Sequence, residues 1–464
     1  PPRRRRPPST PAPRRTQPPP VETPAPEPVE TAFALRLDGR VEGLTSLAIP
    51  AATREDGALL PGERVLFRYS RVSSQHDEGV VSQVLEQSQD RVEPECERFG
   101  LCGGCSLQHL RSEKQIAFKQ QALTDALQRI DKVAPLSVEP PLTSHTTGYR
   151  RKARLGVKFV AAKQKVLIGF RERGSPFITD TDNCPVLHPA VGENLRPLAE
   201  LIESFTVRDR IPQIEVAVGD DGVILIFRLL DPLPNEEADR LIALCERYHW
   251  TPYIQEAGPD SVRPLQQPLP LHYELPEENL VFEFLPNDFT QVNSEINRKM
   301  VAQAMTWLRP SESESILDLF CGLGNFTLPV ARHASEVTGV EGDRSLVERA
   351  RQNARRNGID NVGYHVANLY EPLEHAAWTR RPYDAVLLDP PRSGALEMMP
   401  LIAATGAKRV LYVSCYPGTL ARDAAQLVNT HGYRLIKAGV MDMFPHTAHV
   451  ESMALFERGA QKQS

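Results

Sequence analysis

The chain has 464 residues, 41% of them hydrophobic and 24% charged, with a formal net charge of −5. That length suits roughly three domains, and the composition excludes a wholly disordered or fibrous chain. No stretch approaches the ~20 apolar residues that a membrane helix needs, and no signal-peptide pattern opens the chain, so the expected setting is the cytoplasm, with no membrane partner.

Residues 1–30 are rich in proline and arginine, with basic runs at Arg3–Arg6 and Arg14-Arg15. Such a segment cannot bury enough apolar surface to fold and reads as a disordered tail. Its role is either loose contact with RNA phosphates or simple solubilisation. Residues 31–93 carry short strand-like runs at 33–37, 64–69 and 79–81, punctuated by Asp38-Gly39 and Pro61-Gly62. That spacing predicts a small β-barrel.

Seven cysteines are present, and without a secretory signal an odd number points to metal binding rather than disulfides. Cys96, Cys102 and Cys105 cluster around Gly103-Gly104, and the fourth thiol of the set is expected to be Cys184, before Pro185. Four soft ligands suit zinc or an iron–sulfur cluster. Structural zinc sites usually come as two cysteine pairs, so three clustered thiols plus one distant one favour a 4Fe–4S cluster. His109 is expected to be solvated rather than a ligand.

Ser112 to Leu127 has the periodicity of an amphipathic helix. The most basic ordered stretch follows, Tyr149-Arg150-Arg151-Lys152-Ala153-Arg154. On a strand, its alternation places several cations on one face. With Tyr149 and Phe170 interleaved, that face suits phosphate contact and base stacking; a merely solvated strand is the alternative. Strands at 214–218, 223–229 and 280–284, with a helix at 236–248 carrying a core Cys245, complete an α+β domain over residues 94–286.

From Ile316 strands alternate with helices, the pattern of a parallel, doubly wound sheet. The first strand ends in Cys321-Gly322-Leu323-Gly324-Asn325, where two glycines let the backbone approach a ligand. A third glycine is missing, so this is not the dinucleotide fingerprint. Cys321 is expected to pack. The second strand ends at Glu341, where a carboxylate can take ribose hydroxyls; the third ends at Asn368, the fourth in Asp389-Pro390-Pro391-Arg392. Together these suit S-adenosylmethionine. The next strand, 409–413, ends in Ser414-Cys415-Tyr416-Pro417.

A methyl donor, a strand-end cysteine and a basic RNA face fit one chemistry. C5 of a pyrimidine is a poor nucleophile, but a thiolate adding at C6 makes C5 enolate-like, able to attack a methyl group. The C5 proton must then leave to a base. Glu451, in His446-Thr447-Ala448-His449-Val450-Glu451, is the candidate, with His446 and His449 as competitors.

These motifs, in this order, resemble the bacterial 23S rRNA (uracil-5-)-methyltransferases of the RlmD/RumA type over about residues 31–458. The resemblance implies a multidomain α/β chain: an N-terminal TRAM-like, RNA-binding β-barrel over 31–93, a central α+β iron–sulfur domain over 94–286, a Rossmann-like methyltransferase domain over 287–458 that uses S-adenosyl-L-methionine, and a tail at 459–464. It implies Cys415 as nucleophile and Glu451 as base. Cys96, Cys102, Cys105 and Cys184 would hold the 4Fe–4S cluster. Gln291, Phe320, Asn325, Glu341, Asn368 and Asp389 would contact the donor. Phe289 would lie beside the extruded uracil, with Arg150, Arg151, Lys152 and Arg154 on the RNA. The implied partner is 23S rRNA, at uracil 1939, with no obligate protein partner. Another rRNA site, a tRNA target, or a non-catalytic iron–sulfur RNA-binding protein are the alternatives. One departure is local: the family usually has Asn after the nucleophile, where this chain has Tyr416.

Overall fold

The computed structural model describes four short strands between residues 29 and 48, Leu60, and residues 63–459 except 72–76, 131–132, 372 and 374–375. The expected tail lies outside the described residues apart from residues 29 and 30, as does the end of the chain from 460. Strands Arg64–Arg71 and Asp77–Glu86 pair antiparallel, flanked by Val29–Ala32 and Leu47–Ala48. Of the strand expected at 33–37 only Ala34–Leu35 is described, paired with Val41–Glu42. The exit from this sheet is fixed by the buried Glu63 carboxylate, which accepts the Leu60 N–H and pairs with Arg91 at 2.6 Å.

The middle of the chain builds a six-stranded sheet in the order Arg263–Pro264, Trp250–Gln255, Val223–Arg228, Gln213–Val218, Lys152–Val160 and Lys165–Gly169. Val223–Phe227 is buried at every position, as befits a central strand covered on both faces. Cys245 is buried in this core together with Cys105 and Cys184.

The C-terminal sheet has eight strands, in the order Val362–Val366, Glu336–Glu341, Ser315–Leu319, Ala385–Leu388, Arg409–Ser414, Glu451–Arg458, Tyr433–Met441 and Ser137–Val138. The first five run parallel, and Glu451–Arg458 is inserted antiparallel. Strand order reverses beside Ser315–Leu319, the position where open α/β sheets bind ligands at the strands' carboxyl ends. Alternate residues serve opposite faces: Leu317, Val386, Val410 and Tyr412 enter one core, while Ile316, Leu387, Leu411 and Val413 enter the other. Both cores are apolar, so both faces are covered.

Two elements differ from the expected domain boundaries. Helix Ser112–Gln128 and strand Ser137–Val138 fall within the region expected to be the central domain, yet they are part of the C-terminal layer. The helix buries Ile116, Leu123 and Leu127 against Leu420, Leu427 and Leu435, and the short strand extends the sheet edge beside Lys437 and Ala438. The apolar stripe of that helix finds its complement on the C-terminal sheet, and sequence order does not dictate that choice.

Candidate active site

Strand Arg409–Ser414 is buried from Val410 onward and ends where Ser414 folds back: its hydroxyl accepts the Tyr416 N–H at 3.2 Å and donates to the Tyr416 carbonyl at 3.1 Å. Pro417 then starts helix Pro417–Ala425, at the one helical turn where a missing N–H costs nothing. Cys415 is thereby held, half-buried, on a tight strand-to-helix turn. Its thiol is pushed up to about 11 by burial, then by the charges of Glu451 and Asp389, with the Arg392 cation opposing.

Glu451 reaches the same place through strand register. Ser414 pairs with Ser452, so the end of one strand meets the start of its antiparallel neighbour. Burial raises the Glu451 carboxyl to about 8; Asp389 adds to this and Lys119 opposes it. Asp389 itself is pushed up to about 7 by burial. A carboxyl ionising near neutrality is suited to proton transfer.

The loop before Glu451 is tied down from two sides. Lys119, 0% exposed on helix Ser112–Gln128, donates to Asp442 at 2.6 Å and to the Phe444 carbonyl at 2.9 Å. Gln115 accepts the His446 N–H at 2.9 Å and donates to the carbonyls of Leu107 and Leu110. From the cysteine loop, Ser106 and Leu107 N–H both donate to the His446 carbonyl, and the Ser106 hydroxyl accepts the Ala448 N–H. His446 sits at φ 64°, strained backbone for a non-glycine residue that these contacts over-determine. Burial lowers the pKa of both His446 and His449.

The residues expected to contact the donor sit at the ends of the neighbouring parallel strands and in the adjoining loops. Phe320 has φ 61° and opens a turn in which Gly322 and Gly324 also take positive φ. Its ring lies 5.8 Å from that of Tyr370. Glu341 accepts N–H groups from Gly322, Gly342 and Asp343, which fixes its carboxylate at the strand end. Asn325 exchanges hydrogen bonds with Asn297 and accepts from the Tyr273 hydroxyl. Gln291 lines an adjoining crevice with Tyr273, Thr290 and Asn297. Asn368 bonds to Glu371 and to the Tyr370 N–H, capping its own turn. Beneath them Asp318, bonded to Thr327 at 2.5 Å, is raised to about 7 by burial and by Asp389 and Glu341. Cys321 packs in the core, as expected.

The four expected metal ligands come together in part. Cys105 is raised to about 12 by burial and by Cys184, Cys102 and Cys96, and Cys184 to about 11 by burial and by Cys96 and Cys102, so the thiols lie within electrostatic reach of one another. Gly104 N–H points at the Cys102 sulfur at 3.4 Å. Amide donors around converging sulfurs are what thiolate ligands require. Yet among the described residues no three His, Cys, Asp or Glu side chains are arranged to hold a metal ion. The donor chemistry fits a thiolate-held centre; the side-chain placement is more open than coordination needs. His109, expected to be solvated, is 1% exposed and lies against the Phe99 ring at 5.1 Å.

The basic strand also differs from expectation. Arg151 pairs with Asp220, and Arg154 with Glu215 at 3.1 Å. Lys152 donates to the carbonyls of Pro286 and Asp288, and burial pushes it down to about 8. Carboxylates and loop carbonyls thus engage all three cations, although the Arg154 side chain still faces solvent. Arg150 instead lies over Phe170 and Phe444, at 5.4 and 5.9 Å from the ring centroids. Phe289 is 70% exposed near these residues.

Lys119, Gln115 and Asp442 escaped the sequence reading. The signal was present: Gln115 and Lys119 share the stripe of Ile116, Leu123 and Leu127, and polar residues on a buried stripe call for polar partners.

A family model described as tRNA (Uracil-5-)-methyltransferase matches residues 267–459. The chain is 52% identical to the 23S rRNA (uracil(1939)-C(5))-methyltransferase RlmD of Methylococcus capsulatus, covering 87% of this chain and 91% of that one. It is 45% identical to the protein of the same name from Alcanivorax borkumensis, covering 95% and 98%. Among solved structures, the Pyrococcus abyssi tRNA (uracil-54, C5)-methyltransferase in complex with S-adenosyl-L-homocysteine is similar with a TM-score of 0.70 and 25% identity, covering 92% of this chain and 100% of that one.

Proposed function

Because the chain belongs to the family of 23S rRNA (uracil(1939)-C(5))-methyltransferases RlmD, we infer that it transfers a methyl group from S-adenosyl-L-methionine to C5 of uridine 1939 in 23S rRNA. The observation that carries the site assignment is the register that ends one strand beside Cys415 and begins its neighbour at Glu451, next to Asp389. The bound donor supplies an electrophilic methyl group. Glu341 takes its ribose hydroxyls, the Phe320–Asn325 turn approaches it closely, and Gln291, Asn368 and Asp389 line its place.

The RNA must extrude the target base to reach a site this recessed. Cys415 sulfur adds to C6, and the electron pair moves to C5, which takes the methyl group as that group's bond to the donor's sulfonium sulfur breaks and leaves a neutral thioether. Glu451 then removes the C5 proton, the C5–C6 double bond reforms and the thiolate leaves. Because burial holds the Cys415 thiol protonated at neutral pH, its proton must pass to a neighbouring base as the C6 bond forms. Phe289 stacks beside the extruded uracil. Arg150 contacts the RNA, and Arg151, Lys152 and Arg154 shape that surface through their internal partners.

We also propose that residues 31–93 form a TRAM-like RNA-binding barrel and that Cys96, Cys102, Cys105 and Cys184 hold a 4Fe–4S cluster. Strand pairing supports the first, the converging thiols the second. Stoichiometric iron and acid-labile sulfide in anaerobically purified protein, lost in Cys102→Ser, is the expected result; bound zinc would overturn it.

The mechanism is tested by 5-fluorouridine-substituted 23S rRNA fragments, in which fluorine replaces the proton that must leave. With the donor present, wild-type protein is expected to form a covalent adduct and Cys415→Ala none. An undiminished adduct in Cys415→Ala would remove Cys415 from its role. Unmodified tRNA serves as the competing substrate, expected to be methylated poorly.

A further inference from the structure

Tyr416 follows the nucleophile yet is not part of the chemistry above. Its extended backbone, φ −151° and ψ 110°, makes it the N-cap of helix Pro417–Ala425, and the residue is 43% exposed. The ring lies against Gly418, where a Cβ would come within 2.8 Å of it, so only glycine leaves room for this placement. Over the ring stands the Arg392 guanidinium, 4.9 Å from the centroid. Arg392 is held in turn: its carbonyl accepts the Thr419 hydroxyl, and the next carbonyl, of Ser393, accepts from Arg422 at 2.8 Å. The same arginine lines a cleft of about 260 Å³ with Gly104, Ser106, Thr447 and His449, between the cysteine loop and the base loop. Its charge is felt at Cys415 and at His449.

A large aromatic ring on a helix cap normally packs down. Here it is kept open at the mouth of the site, with a cation stacked on it. An extruded uridine leaves its neighbouring nucleotide at that mouth, still joined through a phosphate. Exposed aromatic rings bind bases in a sequence-tolerant way, and a stacked guanidinium adds charge for the phosphate.

We propose that Tyr416 and Arg392 form a binding step for the nucleotide adjoining the extruded uridine, its base on the Tyr416 ring and its phosphate on Arg392. The proposal rests on the reading of the chain as an RNA uridine methyltransferase. The Tyr416 ring governs substrate affinity, while Arg392 also bears on the Cys415 thiol through its charge.

The test uses full-length protein and an rRNA hairpin carrying the target uridine, intact or abasic at either flanking position. Tyr416→Ala is expected to raise KM for the intact RNA about tenfold, the scale of one lost base–aromatic stack, with kcat within about threefold. Tyr416→Phe should retain wild-type KM. Arg392→Ala should raise KM and lower the salt dependence of binding by about one phosphate contact. One abasic RNA should cost the wild-type protein the same factor and cost Tyr416→Ala nothing further. Unchanged KM in Tyr416→Ala, or an abasic penalty that persists in it, overturns the proposal. If Tyr416→Ala does not fold, the abasic series on wild-type protein decides: no penalty at either flank overturns the step. Absence of any fluorouridine adduct in the wild type would instead sink the methyltransferase reading, which separates the two failures.

Discussion

Two charged regions of this molecule are built in opposite ways. At the start of strand Lys152–Val160 the basic side chains of Lys152, Arg154 and the preceding Arg151 each have a partner, a carboxylate or a pair of carbonyls. At the carboxyl ends of the catalytic sheet, Asp318, Asp389 and Glu451 crowd together, and burial raises all three to the neutral range. Matched charges hold shape. Crowded, desolvated acids are ready to exchange protons, and groups in that condition concentrate at functional sites.

The contrast can be broken most severely at the nucleophile. Cys415→Ala should reduce methyl incorporation into unmodified rRNA by roughly 10⁴-fold or more, as expected when a covalent nucleophile is removed. Residual activity within tenfold would mean the crowded end does not act through this thiol. Glu451→Gln should lose about 10²–10⁴-fold and, unlike Cys415→Ala, accumulate a methylated RNA–protein adduct on denaturing gels.

Lys119 joins the two designs, being a matched charge placed beneath the crowded end. Lys119→Met leaves Asp442 buried without its cation, which should cost about 3–5 kcal/mol in denaturant unfolding. The added change Asp442→Leu should recover most of that loss. In the single variant a cation that lowers the Glu451 pKa is gone, so the acid side of the pH–rate profile should move to higher pH. Stability unchanged to within 1 kcal/mol would show the pair to be solvated.

In the wild type, the base must be ionised to accept a proton. With Glu451 raised to about 8, kcat/KM should rise about tenfold per pH unit below that value and level off above it. A flat profile from pH 6 to 9 would assign the base elsewhere. The smallest effect belongs to the matched region. Arg154→Ala breaks an exposed pair and should change stability by less than about 1 kcal/mol. A collapse of rRNA affinity in that variant would return the strand to the RNA surface.

The catalytic sheet was legible because its strands are apolar runs ending in recognisable turns: Gly322 and Gly324, Glu341, Asp389, Ser414-Cys415. Period and punctuation are local properties, and the sequence states them directly. What lay outside its reach is partnership across the chain. Glu215 stands opposite Arg154 only through strand pairing, and Lys119 meets Asp442 across more than three hundred residues. His109 looked like a solvated helix-start residue until Phe99 and the fold closed over it. The open arrangement of Cys96, Cys102, Cys105 and Cys184 is likewise a matter of how two distant segments meet.

The antiparallel insertion of Glu451–Arg458 beside Arg409–Ser414 has a consequence for tolerance to change. The spacing of Cys415 and Glu451 is set by a hydrogen-bonded ladder, and the loop between strands Tyr433–Met441 and Glu451–Arg458 is separately pinned to Lys119, Gln115 and Ser106. A single residue inserted within Glu451–Arg458 would do what no loop insertion can. It would turn every side chain beyond it to the opposite face and carry the acid away from the thiol.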